Sequence, residues 1–251
     1  MTTLLDAREI TVRFGGVTAN DRVSIEVYEG ERLGIIGPNG AGKTTFIDAI
    51  TGFVPSSGQV TLCGHDVTDA SAAARVRTGM TRTWQSVELF DDLTIVENLD
   101  VAAHRSRRSD LLREIIGIRP KPDRERTSRI LDQVGLLDAA DVYPEELSNG
   151  QRKLAGIARA LATSPRILCL DEPAAGLDER ESAELGVQLR RLSIDGITVL
   201  LVDHDMGLVF GVCERIIVLD TGRIIATGTP DEIRNHPDVL RAYLGTTKEA
   251  S

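Results

Sequence analysis

The nine residues Gly37, Pro38, Asn39, Gly40, Ala41, Gly42, Lys43, Thr44 and Thr45 carry the clearest chemistry in this chain. They satisfy the pattern G-x-x-x-x-G-K-[ST]. Its glycines let the backbone bend tightly and aim successive N–H groups at phosphate oxygens. Lys43 is placed to reach the terminal phosphates of a nucleotide, and the Thr44 hydroxyl suits a phosphate-bound Mg²⁺. Such a loop needs a strand before it and a helix after it. Arg32–Ile36 reads as the buried strand and Thr44–Thr51 as the helix, whose first amides add to the anion site.

A second cluster ends the apolar run Arg166-Ile-Leu-Cys-Leu-Asp-Glu172. Ligands of an open α/β sheet sit at the carboxyl ends of its strands, so Asp171 and Glu172 fall where phosphates would lie. Asp171 can hold Mg²⁺ through its water shell, and Glu172 can polarise an attacking water. On their own the two carboxylates read as a plain strand terminus; beside a phosphate loop, chemistry is favoured. The strand Ile197–Val202 leads into Asp203-His204-Asp205, which brings His204 to the same edge. A lone histidine is otherwise commonly structural. Leu147–Leu161 reads as a helix capped by Ser148, with apolar Leu154, Ile157, Ala158 and Leu161 at helical spacing. Its start, with the Ser148 hydroxyl and the Gly150 amide, also suits an anion. Phe14 ends a strand and could stack on a base or fill the core. Gln85 read by itself is an ordinary surface side chain. The apolar Val87, Leu89 and Phe90 that follow it form a patch suited to a partner.

These residues must be positioned by a chain of 251 residues, length enough for one or two domains. Hydrophobic residues make up 41% and charged residues 27%, the balance of a globular protein. A net charge of −9 disfavours broad binding to nucleic acid or anionic lipid. The first ten residues lack the pattern of a secretory leader, and no apolar run approaches the ~20 residues that span a bilayer. Cys63, Cys169 and Cys213 are isolated, which argues against a zinc site or disulfide framework. Strands are expected at Thr11–Phe14, Val23–Val27 and near Gln59–Cys63, with turns at Gly15-Gly16 and around Gly30. A helix is expected over Asp69–Arg77 and another after Thr94. From Arg105 to Arg129 the chain holds eight Arg and one Lys against two Asp and two Glu, a local +5. Pro120 and Pro122 divide this region into helical pieces near 107–117 and 123–135.

In this order the motifs resemble the ATP-binding cassette (ABC) ATPase family along essentially the whole chain. Leu147-Ser-Asn-Gly-Gln151 resembles its signature, Ile167–Glu172 its Walker B strand, and Ala174-Ala-Gly-Leu-Asp178 its D-loop. His204 matches the switch histidine, Gln85 the Q-loop glutamine, and Phe14 the adenine-stacking aromatic. The resemblance implies an α/β fold: a P-loop NTPase core with an antiparallel β subdomain and an inserted helical subdomain. It divides the chain into an α/β core of residues 1–85 and 161–251 and a helical subdomain of 86–160. ATP and Mg²⁺ are the implied cofactors. Phe14, the phosphate loop from Gly37 to Thr45, and Gln85 would bind nucleotide. Ser148, Gly150 and Gln151 would contact the nucleotide of a facing cassette. Thr44, Gln85 and Asp171 would serve the metal, with Glu172, His204 and Lys43 as the catalytic groups. Asn149 stands where glycine is commoner and Phe14 where tyrosine is commoner; neither change removes a phosphate ligand.

Within the family, Arg82-Thr-Trp-Gln85, Asp171–Asp178, Asp203–Met206 and the ending Gly228–Gly245 resemble the ATPases of branched-chain amino acid importers. Urea and short-chain amide importers look similar. The implied partners are membrane permease subunits seated near Gln85 to Leu93, a second cassette forming a homodimer or heterodimer, and a solute-binding protein acting indirectly. The implied location is the cytoplasmic face of the inner membrane. Two rivals share the phosphate chemistry. A nucleic-acid-associated ABC ATPase has only the basic stretch in its favour, so no nucleic-acid partner is expected, and a P-loop kinase would not need the signature or His204.

Overall fold

The computed structural model describes residues 2–84, 89–103 and 123–245. The chain falls into two compact units, residues 1–85 with 166–251, and residues 86–165.

The first unit contains two sheets. Strands β1 (Thr3–Phe14), β2 (Val17–Tyr28), β4 (Ser57–Leu62) and β5 (His65–Asp66) form a four-stranded antiparallel sheet in the order β2-β1-β4-β5. Strands β1 and β2 are longer than the local alternation predicted. Irregularities in register and left-handed Glu9 and Arg22 let the ladder continue past its breaks in pattern. The second sheet has the order β10-β9-β3-β8-β7-β6, from β3 (Arg32–Ile36), β6 (Met80–Thr83), β7 (Ile167–Asp171), β8 (Thr198–Val202), β9 (Arg215–Asp220) and β10 (Arg223–Gly228). Its strands run parallel except for the antiparallel edge pair β9 and β10.

Strands buried on both faces read as continuous apolar runs rather than alternations. That is why Leu33–Ile36, Ile167–Leu170 and Val199–Val202 contain almost no polar residue and are fully buried. Helix α1 (Lys43–Thr51) packs against strands of both sheets through Phe46, Ile47 and Ile50. Burying each of these side chains contributes about 1.5–3 kcal/mol. Arg75 on α2 (Ala72–Thr78) fastens the far end of α1, its guanidinium donating to the carbonyls of Ala49 (2.9 Å) and Ile50 (2.6 Å). A cation at the carbonyl end of a helix also complements its dipole.

The second unit is helical: α3 (Ile95–Ala103), α4 (Arg124–Gln133) and α5 (Asn149–Leu161), with two short 3-10 turns at Leu137–Ala139 and Pro144–Glu146. Ile95, Leu99, Leu131 and Ala155 are buried, and the buried Asn98 amide donates to the carbonyls of Phe90, Leu93 and Thr94. Arg126 donates to Ala162 O and Ser164 Oγ, tying the chain after α5 to α4. The helix expected at 107–117 and most of the basic stretch lie outside the described residues; the piece expected at 123–135 is α4. Three further helices close the first unit: α6 (Glu179–Ile194), α7 (Met206–Val212) and α8 (Pro230–Arg234). A last helix, α9 (Pro237–Gly245), follows them.

Candidate functional site

Register gathers the candidate residues of the first unit. Val202 pairs with both Ile35 and Asp171, and Leu170 pairs with Thr83, so β3, β8, β7 and β6 end level with one another. The phosphate loop, Asp203-His204 and Asp171-Glu172 therefore leave the sheet at one edge. The chain toward Gln85 exits there too, although Gln85 itself lies outside the described residues.

Two glycines make the loop's path possible. At Gly42 the backbone is left-handed (φ 92°), and a Cβ would lie 2.4 Å from Ala19 O. At Gly37 a Cβ would meet Leu219 O at 2.1 Å. Strand β2 braces the loop from below: Asn20, fully buried, donates to Gly42 O at 3.1 Å. Gly222 N–H donates to Ala41 O at 3.1 Å.

Lys43 is buried, its ammonium donating to Gly37 O (2.8 Å) and Pro38 O (3.1 Å), so it is folded back over the loop. Burial pulls the Lys43 pKa down, and the carboxylates of Glu172, Asp171 and Asp203 oppose that shift. An incoming polyphosphate would restore anionic partners to it. Thr44 Oγ1 donates to Asp171 Oδ1 across 3.4 Å. Burial raises the Asp171 carboxyl, an effect countered first by the Arg82 guanidinium.

Glu172 sits in the left-handed region (φ 48°), its N–H donating to Val202 O at 2.7 Å. Non-glycine residues in that region concentrate at functional sites, where surrounding contacts enforce them. His204 is exposed, with Nδ1 3.8 Å from Glu172 Oε2 and 3.5 Å from Asp203 Oδ1. Asp203 is completely buried. Its Oδ1 accepts from the N–H groups of His204 (2.7 Å) and Asp205 (3.0 Å), and its Oδ2 accepts from Ala174 N–H (3.0 Å). One carboxylate thus pins the segment after β7 to the histidine loop after β8.

An oxygen-only donor set of Thr44 and Asp171 fits a hard cation such as Mg²⁺, which keeps several waters and takes phosphate oxygens rather than a full protein cage. No cluster of three or more His, Cys, Asp or Glu able to hold a metal occurs among the described residues.

Phe14 is 53% exposed at the tip of the β1–β2 hairpin, which removes the core reading and leaves the ring open to a base. In the second unit, Ser148 and Gln151 form a reciprocal cap at the start of α5. Gln151 N–H donates to Ser148 Oγ (3.3 Å) and Ser148 N–H to Gln151 Oε1 (3.0 Å). Asn149 takes the first helical position without a positive φ, so nothing there requires glycine. Ala155 rather than Leu154 turns fully inward; Leu154 is half-buried. The expected partner patch is only partly visible: Leu89 is half-buried and Phe90 exposed, while Val87 lies outside the described residues.

Asn20 carries no sequence signal, and Arg82 and Asp203 stand in runs that carry the family resemblance without a role of their own. Each is a polar residue inside a strand or at its end, and only the burial of so polar a group could have marked it.

Residues 20–175 match the family model described as ABC transporter, and the chain belongs to that family as an ATP-binding cassette ATPase. Residues 223–249 also match the model described as branched-chain amino acid ATP-binding cassette transporter. The chain is 41% identical over 249 residues to the high-affinity branched-chain amino acid transport ATP-binding protein LivG of Salmonella typhimurium, covering 96% of this chain and 98% of that one. It is 40% identical to BraF of Pseudomonas aeruginosa, a protein with the same description, over 96% of this chain and 98% of that one. Among solved structures it resembles the ADP conformation of MJ1267, an ATP-binding cassette of an ABC transporter. That match has a TM-score of 0.85 and 32% identity, over 98% of this chain and 100% of the other. A dimeric post-hydrolysis cassette, MJ0796 bound to ADP and Pi, matches with a TM-score of 0.73 at 25% identity, over 90% of this chain and 99% of that one. No helix among the described residues is long and apolar enough to cross a membrane.

Proposed function

We propose that this chain hydrolyses MgATP to power the import of branched-chain amino acids, as one of two paired cassettes beneath a membrane permease on the cytoplasmic face. The observation that carries the chemistry is the shared sheet edge, where the phosphate loop, Asp171-Glu172 and Asp203-His204 converge. The solute follows from the descriptions of LivG and BraF and from the match at residues 223–249.

In this reading the loop amides and Lys43 bind and orient the phosphates, and Phe14 stacks on the base. Thr44 and Asp171, with Gln85, hold Mg²⁺, which when bound neutralises phosphate charge. Glu172 takes the proton of the attacking water, its carboxylate lying 3.8 Å from the His204 ring nitrogen. His204, held by Asp203, contacts the terminal phosphate. Ser148, Gly150 and Gln151 serve the nucleotide of the facing cassette, which the exposure of Ser148 and Gln151 and the dimeric MJ0796 cassette support. The helical subdomain, taken as residues 86–160, carries that motif and receives the permease near Gln85 to Leu93.

Glu172→Gln tests the chemistry. It keeps the shape but removes the base, so phosphate release should fall by about 10²–10⁴-fold while ATP still binds, and an ATP-bound dimer should accumulate. Unchanged phosphate release would overturn the assignment.

A further inference from the structure

Arg82, on β6, has a side chain only 4% exposed, yet carries a full charge into the floor of the site. Its guanidinium donates through Nη2 to Asp171 Oδ2 at 2.7 Å and through Nη1 to Asp48 Oδ1 on α1. The indole of Trp84 lies 4.1 Å from its Cζ, and Phe53, edge-on to Trp84 with 4.8 Å between ring centroids, flanks the pair. Among the described residues, Arg82 Nε is one of the few buried polar side-chain atoms with no partner.

A fold seeking only stability would not choose this arrangement, because a buried ion pair returns little over an apolar replacement and an orphaned N–H is a cost. What it does provide is orientation. With Oδ2 engaged by Arg82, the second oxygen of Asp171 faces the Thr44 hydroxyl. We propose that Arg82 is a positioning residue for the metal: it locks the Asp171 carboxylate so that Oδ1 stays turned toward Thr44, and it balances the charge of Asp48. Asp48 anchors the fork to the helix that follows the phosphate loop, so Asp171 and Thr44 keep one spacing. Outer groups that orient a metal's carboxylate are commonly worth about 10–100-fold in metal affinity. The inference rests on the assignment of Asp171 to Mg²⁺.

The test measures binding of the hydrolysis-resistant analogue AMP-PNP to the full chain in Mg²⁺ and in EDTA. The ratio of the two affinities reports the metal's contribution alone. Arg82→Lys keeps the charge but cannot fork to both carboxylates. Its ratio should fall about tenfold with the EDTA affinity unchanged. Asp48→Asn keeps an amide oxygen to accept from Nη1, and so keeps the anchor, while removing the charge and leaving the Asp171 bond in place; it should stay within about twofold of the wild-type ratio. Asp171→Asn distinguishes the failures. If it leaves the ratio intact, the metal assignment itself falls; if it lowers the ratio and Arg82→Lys does not, only the role of Arg82 falls. Equal losses in Mg²⁺ and EDTA for Arg82→Lys would also overturn the proposal, since Arg82 would then support the phosphate loop rather than the metal. Should Arg82→Lys fail to fold, Trp84→Leu frees the guanidinium to turn while keeping every charge. It should lower the ratio about threefold, and an unchanged ratio would sink the idea.

Discussion

The phosphate edge of the α/β unit and the start of helix α5 in the helical unit are both assigned to phosphate in the proposed function, but they are wired in opposite ways. At the phosphate edge, charged and polar groups are buried and joined to partners far away in sequence: Arg82 to Asp171 and Asp48, Asp203 to Ala174, Asn20 to Gly42. At α5 the groups are exposed, and Ser148 and Gln151 satisfy each other across three residues. A buried network holds a geometry before any ligand arrives, because its members have no water to fall back on. A local cap asks nothing of the rest of the molecule. In the proposed function the first is a site prepared within one chain, and the second one that a facing chain completes.

That contrast can be broken most sharply at Asp203. Asp203→Ala strips three N–H groups, that of Ala174 buried and those of His204 and Asp205 partly so, of their acceptor, and about 3 kcal/mol of stability should be lost in urea unfolding. A loss below about 1 kcal/mol would show that the edge is not held by this network. Next in size, Gly42→Ala forces a left-handed backbone and a Cβ against Ala19 O. Isothermal titration should show ATP binding reduced at least tenfold, with about 1–3 kcal/mol of strain. Normal affinity would mean that the loop reshapes freely. At the other site, Ser148→Ala should cost only about 1 kcal/mol of helix cap and leave ATP binding to the single chain unchanged. Its larger effect should be on ATP-dependent dimer formation, read by light scattering; weaker monomer binding would contradict the division of labour drawn here.

The mildest prediction concerns the thiols. Burial pushes Cys169 and Cys213 up to about 12, which keeps both as unreactive thiols at pH 8. Cys63 is half-buried, and its thiol is raised by burial but drawn back by Arg166. A disulfide-exchange reagent should therefore modify one thiol in the native chain and three after unfolding. Early reaction of Cys169 would indicate that the Walker B strand opens readily.

Much of this molecule was legible before its structure. The strands Arg32–Ile36 and Ile167–Asp171 announced themselves because a strand buried on both faces has no room for polar residues. The helix from Ser148 was marked by its cap, and the phosphate loop by glycines whose spacing is itself the mechanism. All of these are local signals, set within about ten residues. What tertiary structure alone decided is which distant residues meet. The alternation of β1 and β2 did not show how far their pairing extends, since bulges at Glu9 and Arg22 interrupt it. Phe14 could be core or contact until the hairpin placed it outside. Arg82 looks like one surface arginine among many until β6 pairs with β7 and carries it under Asp171. Buried charges are affordable only where a partner stands opposite, and the partner's position comes from sheet order, which no stretch of sequence contains by itself.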